Sequence, residues 1–73
     1  MKINGAEAIA KASQAIKPGE TLGVWFDFKT HMLITTEERT SLEDKSHTYA
    51  IGQIVKPMTP ERVMKMMHEW MHW

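Results

Sequence analysis

A chain of 73 residues has the length of one small domain, and such a domain buries only about 60% of its unfolded surface, so its margin of stability is narrow. Nine basic and nine acidic residues cancel to a formal net charge of zero, which excludes a general polyanion binder and leaves association between apolar surfaces as the live expectation. The chain has no cysteine, so neither a disulfide nor a thiolate metal site is available. With no apolar run of signal-peptide or membrane-spanning length, the expectation is a soluble, cytoplasmic protein with no membrane partner.

The first element predicted is a helix from Gly5 to Lys17. Asn4 is placed as its N-cap, with Glu7 three residues on, and Ile3 is placed to staple onto Ala8. Its core stripe is Ile9, Ala12 and Ile16, flanked by Ala8 and Ala15, and Lys17-Pro18-Gly19 ends it. A strand follows, in which Leu22, Val24, Phe26 and Phe28 alternate against Gly23, Trp25 and Asp27. Lys29-Thr30-His31 reads as a hairpin loop into a second strand, Met32 to Thr36, with an open register. A three-residue loop sets Met32 and Ile34 beside Phe28 and Phe26, whereas a two-residue loop sets Leu33 there.

Glu37 to Ser46 is polar and charged and reads as a loop or as the continuation of two long strands. Thr48 to Val55 is the third strand, with Tyr49, Ile51 and Val55 on one face and Ala50, Gly52 and Ile54 on the other. The pattern gives one α+β domain over residues 1–73, ordered α-β-β-β-α, with a three-stranded antiparallel sheet packed by two helices.

The last helix carries the most regular apolar pattern. Thr59 is its N-cap and Pro60 its first residue. Val63, Met64, Met66, Met67, Trp70, Met71 and Trp73 fill about half of its circumference, while Glu61, Arg62, Lys65, His68, Glu69 and His72 hold the rest. A three-stranded sheet covers a narrower stripe than this. Flexible thioethers and large rings suit a surface that must fit another surface, so Met64, Met66, Met71, Trp70 and Trp73, together with Trp25, are the candidate partner-binding residues.

His68-Glu69-Trp70-Met71-His72 matches H-E-x-x-H, the spacing that sets two imidazoles one helical turn apart for zinc. A third ligand has to come from His31 or His47. The polar stripe already accounts for both His68 and His72, so they are weak metal candidates, hydrolysis is a remote reading, and no cofactor is expected. No nucleophile and base, phosphate loop or helix-turn-helix pattern is present, so the chain is read as a non-enzyme. A nucleic-acid reading rests on Lys2, Lys11 and Lys17 or on stacking by Trp25 and Tyr49, with Glu37, Glu38, Glu43 and Asp44 opposing it. The function expected is protein binding, as an inhibitor or adaptor of a larger protein and with homodimerisation as a further contact. Its character is that of phage or mobile-element accessory proteins that block a host factor. The alternatives are a nucleic-acid-associated regulatory subunit and a metal-binding helix.

Overall fold

The elements run α1 (Ala6–Ser13), β1 (Leu22–Asp27), β2 (Met32–Thr35), α2 (Thr36–Thr40), β3 (Thr48–Ile54) and α3 (Pro60–Met71), in a computed structural model that describes residues 4–71. This is a small α+β fold with one antiparallel sheet in the order β2-β1-β3. It has three helices where the sequence pattern gave two.

The start of α1 differs from expectation because Asn4 is occupied elsewhere. Its N–H donates to His31 O at 3.0 Å and its carbonyl accepts from Leu33 N at 2.8 Å, so Asn4 forms a parallel bridge beside β2. Gly5 is the N-cap instead, at φ 101°, and no side chain caps the helix. The Ile3 staple lies outside the described residues. Regular helix ends at Ser13 rather than Lys17, and tighter i to i+3 bonds carry the chain on to Ile16.

The buried side of α1 is Ile9, Ala10 and Ser13, while Ala12 and Ile16 are half-buried and Ala8 and Ala15 exposed. Periodicity misjudged this face because Ser13 is polar. Its hydroxyl donates to Ala10 O at 2.6 Å and accepts from Met58 N at 2.9 Å, and Gln14 Nε2 donates to Met58 O at 2.9 Å. A satisfied hydroxyl can be buried at little cost, and this one ties α1 to the segment that leads into α3. There Thr59 caps as expected, with Arg62 N–H donating to its Oγ1 at 3.2 Å.

β1 lies in the middle of the sheet. Val24 and Phe26 point toward α1 and α3 and join Ile9, Ala10, Leu33, Ile54, Met58, Val63 and Met67 in one apolar core. Leu33 stands opposite Phe26, and the loop is four residues, Phe28–His31, so neither loop length considered from the sequence is correct. Asp27 sets it: its Oδ1 accepts from Lys29 N and Thr30 N, an Asx turn that ends the strand early. Phe28 is therefore exposed instead of lying on the core face. In β3 the pairing shifts between Val24 and Trp25, leaving Ile51 as the extra residue of a bulge. The shift makes Ile54 the buried anchor, leaves Ile51 half-buried, and puts Val55 beyond the strand and exposed.

The stretch read as a loop after β2 begins with α2. Thr35 Oγ1 accepts from Glu38 N at 3.2 Å and Glu38 Oε1 accepts from Thr35 N at 3.1 Å, a complete capping box. α2 packs on the opposite face of the sheet from α1 and α3, with Thr36 lying directly over Gly23.

Candidate protein-binding surface

On α3 Val63 and Met67 are fully buried, and Met64, Met66 and Trp70 are half-buried against the same core. The Trp70 indole stands over Gly52, where an added Cβ would come within 3.4 Å of the ring. The wide apolar arc has two covers rather than one, because α3 packs against α1 as well as β3. α1 covers part of the arc, and Met64, Met66 and Trp70 each keep an exposed portion. The Met71 side chain, His72 and Trp73 lie outside the described residues.

His68 and Glu69 are exposed. Neither upstream histidine is drawn to them. His31 occupies the β1–β2 loop at φ 56° with its ring edge on Phe26, and His47 Nε2 lies 3.4 Å from Asp27 Oδ2. Among the described residues no group of three His, Cys, Asp or Glu could hold a metal ion, and no helix is long and apolar enough to cross a membrane. The open groove between α1 and α2 gathers Thr21, Thr36, Ser41, Glu37 and Glu38, of which Glu38 is already committed to its cap.

Trp25 is half-buried on the sheet face that α2 covers. Its indole N–H donates to Thr36 Oγ1 at 2.9 Å, and the Arg39 guanidinium lies 3.8 Å above its ring. Arg39 Nε also donates to Thr48 Oγ1 at 2.8 Å. Tyr49 pairs with Phe26 and packs on it at 5.7 Å between ring centroids, on the core-side face. Trp25 and Tyr49 thus sit on opposite faces and share no platform for stacked bases.

The structure also draws together a surface that hydropathy did not single out. Among the described residues β3 has β1 on one side and no strand on the other, and no charged residue occurs from Thr48 to Val55. Phe28 N–H donates to His47 O, and Thr48 N–H turns back to Lys45 O. Ladder alternation from that point turns the N–H and C=O of Ala50 away from β1, toward the free edge. Around this edge Tyr49 and Phe28 are exposed with their rings 6.1 Å apart, and Val55 is 66% exposed.

Comparison with family models, curated proteins and solved structures finds no match to this chain. The reading of the surface therefore rests on its own chemistry. An uncharged edge with exposed aromatic neighbours offers peptide hydrogen bonds and apolar contact, which is the chemistry of strand addition. The signal in the sequence was the uncharged run Thr48 to Val55 beside a hairpin. What hid it was the strand order, since only an outer strand has a free edge.

Proposed function

We propose that the chain is a small protein-binding module, acting as an inhibitor or adaptor, that receives an extended segment of a larger protein along β3. The observation that carries this reading is the uncharged outer edge of β3, which among the described residues carries no lysine or proline and pairs with no further strand, the bulge at Ile51 being its one blunting feature. Main-chain hydrogen bonds to such an edge supply affinity, and Tyr49, Phe28 and Val55 supply apolar neighbours that select among segments.

The test is a variant that closes the edge while sparing the fold. Ala50→Pro removes an N–H that faces away from β1, the one kind of strand site where proline costs no ladder bond. Random peptides displayed as a library and selected on the parent should be extended, β-branched or aromatic sequences that the folded Ala50→Pro protein no longer retains. Peptides held equally by both proteins would remove the reading.

A further inference from the structure

We infer that the segment received by β3 carries a carboxylate side chain over Ala50, where Arg39 binds it; the inference rests on the strand-addition reading above. Arg39 is held at two points, by the Trp25 ring beneath its guanidinium and by Thr48 Oγ1 at its Nε. Among the described residues no carboxylate lies within ion-pair distance of it, and its two Nη nitrogens have no protein acceptor. A guanidinium fixed in this way has already lost much of its side-chain freedom, so little more is lost when its fork closes on a carboxylate.

Position follows from the sheet. Trp25 is paired with Ala50, and Thr48 is two residues away on the same face, so Arg39 lies beside the small, exposed Ala50. An outward residue of an added strand opposite Ala50 has its Cβ about 5 Å from that alanine. An aspartate or glutamate there projects from the same face of the sheet as Arg39. The same charge logic disfavours other occupants. A second β3 has no acidic residue between Thr48 and Val55 to offer, and two copies joined along this edge bring their Arg39 side chains toward each other. A polyanion meets Glu37, Glu38 and Glu43 on the flanking segment, with no shared stacking surface.

The experiment selects random nonapeptides on four full-length proteins: parent, Ala50→Pro, Arg39→Gln and Arg39→Glu, each shown to be folded by circular dichroism. Arg39→Gln keeps a planar group over Trp25 and guards against a reversal variant that fails to fold. The parent should enrich aspartate or glutamate at one position, and the selected peptides should bind Arg39→Gln about tenfold more weakly, the worth of one charge-assisted pair. A folded Arg39→Glu should select lysine or arginine at that position. Peptides that depend on the edge but show no carboxylate preference overturn this inference and leave strand addition standing. Peptides indifferent to Ala50→Pro overturn both. Light scattering that shows a dimer abolished by Ala50→Pro makes a second copy the occupant, and oligonucleotide binding abolished by Arg39→Gln makes it a nucleic acid; either outcome also overturns the inference.

Discussion

On the side of the sheet facing α1 and α3, Val24, Phe26, Leu33 and Ile54 meet Ile9, Val63 and Met67 in a single apolar cluster, whereas the side facing α2 is covered through a stacked arginine, a capping box and the Asp27–His47 pair. Burying one large apolar side chain is worth about 1.5–3 kcal/mol, and a typical hydrogen bond only about 0.5–1.5 kcal/mol net. The apolar side therefore carries the stability. The polar side positions groups, which is why the binding surface proposed above draws its fixed cation from there.

The largest expected effect breaks the apolar side. Phe26 is 3% exposed between α1, α3 and Tyr49, so Phe26→Ala should cost about 3–5 kcal/mol and come close to unfolding a domain this small. Met67→Glu, which puts a charge at a site 1% exposed, should abolish the cooperative transition altogether. Urea unfolding followed by circular dichroism measures both. A loss at Phe26 under about 1 kcal/mol would mean that the core is placed wrongly.

Next is the seam where α1 begins. Gly5 has φ 101°, and a Cβ there would lie 2.5 Å from Leu33 O and 2.9 Å from Leu33 N, so both backbone strain and close packing oppose any side chain. Gly5→Ala should cost about 1–3 kcal/mol. Gly19→Ala, also at positive φ (86°) but in open space, should cost less. Equal losses in paired melts would mean that conformation alone matters at Gly5 and that its approach to β2 does not.

The polar side should answer more weakly. Thr35→Ala removes the acceptor for Glu38 N and one half of the capping box, for about 1 kcal/mol. Hydrogen exchange should show α2 amides opening well before those of β1, because α2 buries none of its residues. Exchange at the same rate in both elements would erase the distinction drawn between the two sides.

The two sides also differed in how far they could be read from residues alone. Val24, Phe26, Val63 and Met67 were legible because apolar periodicity reports burial. Phe28 misled because the apolar pattern runs past the strand end set by the Asx turn at Asp27, and Val55 because the bulge at Ile51 reverses which alternate residues of β3 face the core. The second helix was readable in principle from Thr35-x-x-Glu38, a capping-box signature, but no apolar stripe follows it. Of the surface proposed above for partner binding, Trp25 is singled out by side-chain type alone. Arg39 is not, since its importance comes from sitting over Trp25 across a distance in sequence that no local pattern encodes.

The smallest effect expected lies at the rim of the polar side. Asp44 is exposed, and its Oδ1 accepts from the Ser46 hydroxyl at 2.7 Å and from Ser46 N–H at 2.9 Å. These bonds, the hydroxyl's foremost, hold its pKa below the ordinary aspartate value, with smaller help from the charges of His47 and Lys29. A carboxylate depressed in the folded state stabilises it fully above the unfolded-state pKa and loses that contribution as pH falls through the lower, folded value. Asp44→Asn keeps an acceptor for Ser46 but cannot titrate. The urea midpoint of the parent should therefore exceed that of the variant at neutral pH, and the gap should close on the acid limb below the ordinary aspartate range. A gap constant from neutral to acid pH would mean that Asp44 acts only as a neutral turn acceptor, with its charge contributing nothing to how the segment before β3 is held.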